Sequence, residues 1–304
     1  MTVQRVTASV AAGWLKPRPR GANKGDAGRV LIIAGSRGMS GAAVLSALGA
    51  ARGGSGLVRV ATVKSQQPVV AKRAPLEATS AVLPEDASGR LSMKAVAAVG
   101  KIVAAFRPDV IALGPGLGAT PATRALVKQL AYRGDVPLVI DADGLNVLSQ
   151  LKGRVRAPAA LTPHPGEMAR LLGVRHVPAD RAGRVRAARA AAAKYGAAVL
   201  LKGAATVVTD GRAVWQNTTG NPAMASGGMG DVLTGLAAAT WAQADGDPRA
   251  TAGKALAFAA FVHGRAADVA VKDFPERTLL ASDLAAALPA AFKTLWRRKR
   301  KGGR

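Results

Sequence analysis

The segment MASGGMGDVLTG, residues 224–235, sets four glycines around a single carboxylate ahead of a helix-forming run. Gly227, Gly228 and Gly230 permit left-handed backbone and let successive N–H groups converge on one anion, with Met229 inside the same loop. The positive end of a helix starting near Asp231 favours the same guest, so a phosphate is expected there. A carboxylate next to phosphate is electrostatically unfavourable. Its use is therefore chemical, and Asp231 is the candidate base that takes a proton from a hydroxyl attacking a phosphoryl group. The competing reading makes Asp231 a helix cap and the glycines turn formers.

Other segments supply company. LTPHPGE, residues 161–167, holds His164 between two prolines with Glu167 three residues on, a rigid turn that either grips a ligand's polar group or satisfies its own carbonyls. Glu167 and Asp141 are candidates for holding Mg²⁺ through water, a cation that phosphoryl sites commonly use; either also reads as a helix-start carboxylate, Glu167 above all. LKGAATVV, residues 201–208, offers Lys202, main-chain amides and the Thr206 hydroxyl to nucleotide phosphates, or is a surface turn with a solvated lysine. GPGLG (114–118) and AGSRGMSGAA (34–43) can wrap backbone around a ligand, although a glycine-rich turn alone says little. No G-x-G-x-x-G or P-loop pattern occurs, which weighs against the common dinucleotide and Walker sites. Asn217, Thr219 and Asn221 lead into the glycine loop; HGRAAD, around His263, reads as helix and equally as packing.

These segments need a scaffold. Strands are expected at Arg29–Ala34, Leu57–Thr62, Val110–Gly114, Pro137–Asp141, Ala159–Thr162, Ala197–Leu201, Thr206–Thr209 and Arg212–Gln216. Helices are expected at Gly41–Arg52, Met93–Phe106, Thr120–Arg133, Asp180–Tyr195, Asp231–Gln243, Arg249–Lys272 and Ser282–Leu295. Uninterrupted apolar strands such as VLIIAG suit a parallel sheet covered on both faces, and Asp210-Gly211 marks a hairpin. The fold class is α/β, a mostly parallel sheet with helices on both faces, in one domain over residues 1–304. Functional residues of such a sheet gather at the carboxyl ends of its strands.

Composition closes off several classes. The chain carries 43 Lys and Arg against 18 Asp and Glu, a net charge of +25, yet its basic residues are scattered with few aromatics between them. Dedicated nucleic-acid binding is the weaker reading of that charge. Only WRRKRKGGR, residues 296–304, is a true basic cluster, expected as a solvated, unstructured end. Absence of cysteine excludes disulfides and thiolate chemistry. No apolar run approaches the roughly 18 residues that a membrane span needs, and the N-terminus lacks a signal-peptide pattern, so a cytoplasmic protein is expected.

In their order, NKGDAGRVLIIAGS, MSGAA, GPGLG, DADGLN, LTPHPGEMARLLG, LLKGAATVV, NTTGNPAMASGGMGDVLTG and HGRAAD closely resemble the ADP-dependent NAD(P)H-hydrate dehydratase family, from about Leu15 to Ala270. The resemblance implies a ribokinase-like fold and a repair reaction. The S epimer of hydrated NADH or NADPH (NADHX, NADPHX) loses water while ADP becomes AMP and phosphate. It places Ala43, Gly116 or Gly118, His164 and Asp231 on the hydrated dinucleotide, and Lys202, Gly203, Ala204, Ala205, Thr206 and Gly230 on the adenine nucleotide. Gly227, Gly228, Met229 and Gly230 would form the anion hole. Mg²⁺, a homotetramer and a separate epimerase acting on the same substrate also belong to what it implies. The family often has His at position 23, Gly at 205 or 223 and Ser or Thr at 229, where this chain has Asn, Ala, Ala and Met. Many relatives carry an N-terminal epimerase domain, and the residues before Gly25 are too few to encode one, so that activity is not expected. The rival readings are an ATP-dependent small-molecule kinase of the same fold and a basic nucleic-acid-binding protein.

Overall fold

The computed structural model describes residues 2–302. Ten strands form one sheet: β1 (Val3–Val6), β2 (Arg29–Ile33), β3 (Leu57–Val63), β4 (Thr79–Leu83), β5 (Val110–Leu113), β6 (Leu138–Ile140), β7 (Ala159–Leu161), β8 (Ala198–Leu201), β9 (Val207–Thr209) and β10 (Val214–Asn217). The helices are α1 (Ala8–Trp14), α2 (Ser40–Arg52), α3 (Gln67–Arg73), α4 (Lys94–Phe106), α5 (Pro121–Arg133), α6 (Asp143–Leu148), α7 (Pro165–Leu172), α8 (Arg181–Tyr195), α9 (Met229–Ala242), α10 (Pro248–Ala270) and α11 (Ala281–Gly302).

Strand order is β1-β10-β9-β8-β7-β6-β5-β2-β3-β4, all parallel except β9, which runs against both neighbours. Alternation along the strands divides the core. Val30 and Ile32 of β2 face a layer built with α2, α9, α10 and α11, whereas Leu31 and Ile33 face one built with α4, α5 and α8. From β2 the chain winds outward through β3 and β4, then returns to β5 on the other side. A crevice is expected where such a direction reverses, beyond the carboxyl ends of β2 and β5. Two bonds tie its lips: Gly35 N donates to the Pro115 carbonyl at 2.8 Å and Ser36 Oγ to the Gly116 carbonyl at 2.7 Å.

Each expected strand and longer helix is present with ends shifted by a few residues. β1 and β4 were not among the expectations because both are edge strands, partly exposed, with little apolar signal. One expectation is corrected. The basic run does not form an unstructured end, because α11 continues through it to Gly302; residues 303–304 lie outside the described residues. Arg and Lys are good helix formers, and Arg298 Nε donates to Ser9 Oγ at 3.0 Å while Lys299 reaches the Leu15 carbonyl.

Helix α9 delivers the glycine loop to the site, and its placement rests on close approach to α2. A Cβ on Gly235 would lie 1.8 Å from the Ser46 carbonyl oxygen, and one on Gly49 would lie 2.1 Å from that of Val232. Gly235→Ala should therefore destabilise the protein by about 2 kcal/mol or more, against its gain in helix propensity, in urea unfolding. Gly41→Ala, with nothing within 4 Å, is the control and should be neutral or mildly stabilising.

Candidate active site

The head of α9 is built as the glycines suggest. Gly228 caps the helix at φ +86°, where a side chain would be strained and a Cβ would meet Leu45 Cδ1 at 2.5 Å. Its carbonyl accepts from Asp231 N at 3.1 Å and Val232 N at 3.2 Å. The amides of Gly227, Gly228, Met229 and Gly230 donate to no acceptor among the described residues. Such a run of free donors at a helix start is a ready anion site.

Asp231 stands in the first turn of α9. Burial pushes its carboxyl up to about 6, the charge of Asp141 adds to the rise, and Lys202 opposes it. A carboxyl so placed is a proton acceptor in neutral solution that releases its proton readily afterwards.

Directly beneath lies an ion cluster. Lys202, following β8, places Nζ 2.7 Å from Asp141 Oδ1 and 3.7 Å from Glu167 Oε2. Thr234, one turn along α9 from Gly230, donates from Oγ1 to Asp141 Oδ2 at 2.7 Å and lies 2.9 Å from the Gly230 carbonyl oxygen. A Cβ on Gly230 would be 3.4 Å from Lys202 Nζ. Burial alone would lower the Lys202 pKa, but Asp141 and Glu167 outweigh it and the net shift is upward, so the lysine stays charged. Its stabilising effect is complete below the ordinary lysine range and is lost only as pH rises beyond it.

Asp141 and Glu167 do converge, but on an ammonium group, and no cluster of three or more metal-ligating side chains exists among the described residues. Lys202 offsets one of the two carboxylate charges, and a Mg²⁺ held here would reach the carboxylates through water.

His164 caps α7. Its Nδ1 accepts from Gly166 N at 3.0 Å and Glu167 N at 3.3 Å, while His164 N donates to Glu167 Oε2 at 2.8 Å. The turn is closed by His164 and Glu167 together, which satisfy its amides rather than its carbonyls, and the half-exposed ring has Nε2 3.5 Å from Glu167 Oε1. Ala43 is fully buried against Gly35 and offers no side chain to the crevice. Gly116 gives its carbonyl to Ser36, and Gly118 N is taken by Asp143 Oδ2 at 2.8 Å. Gly203, Ala204, Ala205 and Thr206 form an exposed turn in which Ala205 adopts φ +52° and Thr206 Oγ1 donates to the Gly203 carbonyl at 2.9 Å. Beside it lies a cleft of about 360 Å³ lined by Arg5, Arg181, Ala205 and Gln216–Gly220.

Sequence reasoning missed Thr234 and Asp268. The four-residue step from Gly230 to Thr234 within one helix is the signal that could have found the first. Asp268 of α10 accepts from Gly220 N at 3.2 Å and Asn221 Nδ2 at 3.2 Å, fastening the approach to the glycine loop. His263 is buried beneath the same loop, its Nε2 without a hydrogen-bond partner among the described residues, and burial pushes its pKa down to about 4.

Because folded Asp231 holds its proton more tightly than the unfolded chain, whose value is near 3.8, its ionised form subtracts stability above about pH 6. Asp231→Asn should accordingly raise Tm by a few degrees at about pH 8, and the gain should vanish toward pH 4, read by calorimetry across that range.

A sequence profile of the NAD(P)H-hydrate dehydratases matches residues 30–290. A bifunctional NAD(P)H-hydrate repair enzyme of Moorella thermoacetica is 40% identical over 296 residues, covering 95% of this chain and 54% of that protein. Its counterpart in Escherichia coli is 37% identical, covering 94% of this chain and 52% of its own. The chain thus spans about half the length of the curated relatives it matches. Among solved structures, an ADP/ATP-dependent NAD(P)H-hydrate dehydratase of Bacillus subtilis, co-crystallised with ATP and Mg²⁺, superposes with a TM-score of 0.78 at 30% identity, covering 97% of this chain and 99% of that one. Hydroxyethylthiazole kinase of Pyrococcus horikoshii shares the fold, with a TM-score of 0.53 at 17% identity. By the extent of these matches, and with the glycine loop and Asp231 inside the matched region, this chain belongs to the NAD(P)H-hydrate dehydratase family.

Proposed function

We propose that the chain repairs hydrated nicotinamide nucleotides, converting (S)-NADHX or (S)-NADPHX to NADH or NADPH at the expense of ADP, with AMP and phosphate released. The observation that carries this reading is the juxtaposition of free amides at residues 227–230 with a buried carboxyl whose pKa is raised to about 6.

Hydroxide is a poor leaving group, so the ring hydroxyl is first converted to a phosphate ester. Asp231 accepts the hydroxyl proton as the oxygen attacks the terminal phosphorus of the nucleotide, and AMP departs. The amides of Gly228, Met229 and Gly230 take up the charge spread over the phosphoryl oxygens. The ester then loses phosphate as the lone pair of the ring nitrogen pushes in, and loss of a proton from the neighbouring ring carbon restores the dihydronicotinamide. Lys202, anchored by Asp141 and Glu167, keeps positive charge close under Gly230 throughout. The turn Gly203–Thr206 and its adjoining cleft take the rest of the adenine nucleotide, and His164 Nε2 is available to the dinucleotide. A Mg²⁺ ion would arrive on the nucleotide's phosphates, since the carboxylates here are engaged by Lys202. ADP is taken as the donor, and a tetramer with a separate epimerase as the setting, on the family resemblance.

The test is recovery of nicotinamide absorbance from heat-hydrated NADH with ADP or ATP and Mg²⁺. Wild-type turnover should rise with pH through about 6 to a plateau, because only ionised Asp231 accepts the proton. Asp231→Asn should retain ADP binding while turnover falls by roughly 10²- to 10⁴-fold; an undiminished rate would remove Asp231 from the mechanism.

A further inference from the structure

Arg184 of α8 is 8% exposed, and its Nη2 donates to the carbonyls of Leu201 at 3.0 Å and Lys202 at 3.1 Å. Its Nε is closed off from solvent without a partner, and among the described residues no carboxylate comes within ion-pairing distance of the guanidinium. Burial lowers its pKa from the ordinary arginine value, yet a guanidinium remains charged under any physiological condition. A buried cation without a counter-ion is unfavourable unless something outside the chain supplies one.

Its place in the fold says what that something is. Gly203 sits on the guanidinium: a Cβ there would be 3.2 Å from Nη2 and 3.3 Å from Nη1, and φ of +136° keeps the position to glycine. Gly203 opens the exposed turn that leads to Thr206, and the adjoining cleft contains Arg5 and Arg181 but no acidic residue. Lys202, whose carbonyl Arg184 holds, is the lysine of the ion cluster under Gly230.

We infer that Arg184 is a positioning residue of the nucleotide site: it fixes the Leu201–Gly203 turn, and its unmatched charge takes the nucleotide's phosphate chain as counter-ion. The inference rests on the nucleotide-dependent function proposed above. It assigns to helix α8 a part in nucleotide affinity that neither the glycine loop nor Asp231 supplies.

The test is calorimetric titration of ADP, and of inorganic pyrophosphate as a probe of the phosphate chain alone, into wild type, Arg184→Met and Arg184→Lys, alongside Tm and the KM for NADHX. Arg184→Met should weaken both ADP and pyrophosphate roughly ten- to hundredfold, more at low salt than at high, with the KM for NADHX within about twofold of wild type. Its Tm should fall by a few degrees, since the Leu201 and Lys202 carbonyls lose their donor, and Arg184→Lys should recover part of the affinity. Unchanged ADP affinity in Arg184→Met would overturn the inference, as would a loss of affinity that is the same at low and high salt, the mark of a merely structural role. Wild-type protein that neither binds ADP nor consumes NADHX would overturn the functional reading itself, and this inference with it.

Discussion

Four consecutive main-chain N–H groups at residues 227–230 have no acceptor among the described residues, and the rest of the site is arranged around that fact. Backbone donors this close to the interior are normally paired. Here the helix start that would satisfy them with a side-chain cap has glycine at the cap position instead. The consequence is a positive potential, from free donors and the α9 dipole together, aimed at a space open to an anion. The close packing of α9 on α2 through Gly235 and Gly49 is what holds that potential in register with the crevice beyond β2 and β5.

The charges nearby follow from the same need. In the proposed reaction Asp231 must be near the anion yet able to accept a proton, and partial burial beside Asp141 raises its pKa accordingly. Left alone, Asp141 and Glu167 would add two more buried negative charges beside the glycine loop; Lys202, 2.7 and 3.7 Å from them, offsets one. This is a stabilising contact with a functional cause. Removing one member would leave uncompensated charge in the interior, a loss of about 3–5 kcal/mol in comparable buried pairs. The protein thus carries one carboxyl, Asp231, whose ionised state opposes folding, within a cluster that otherwise supports it.

Much of this was legible in the residues. β2, β5 and β6 are apolar on both faces because helices cover both, and their uninterrupted runs show it. The Asp210-Gly211 turn was readable from turn chemistry: Asp210 Oδ1 accepts from Arg212 N at 2.8 Å and Ala213 N at 2.7 Å. What could not be read was pairing across the sheet. Lys202 and Asp141 are 61 residues apart and meet only because β7 separates β6 from β8. The sequence offers Asp141 and Glu167 to a metal and Lys202 to a phosphate; the sheet order adds that the three side chains also meet one another. His164 shows the reverse case, since its Pro-His-Pro-Gly-Glu setting does encode the capping arrangement locally.

The proposed phosphoryl transfer to a ring hydroxyl rests on membership of the dehydratase family and on the geometry of the glycine loop. The most direct measurement is a crystal structure of this protein with bound ADP. The terminal phosphorus should lie within hydrogen-bonding reach of the amides of residues 228–230, on the side faced by the Asp231 carboxylate. A terminal phosphate bound elsewhere, with those amides still unpaired, would contradict the account.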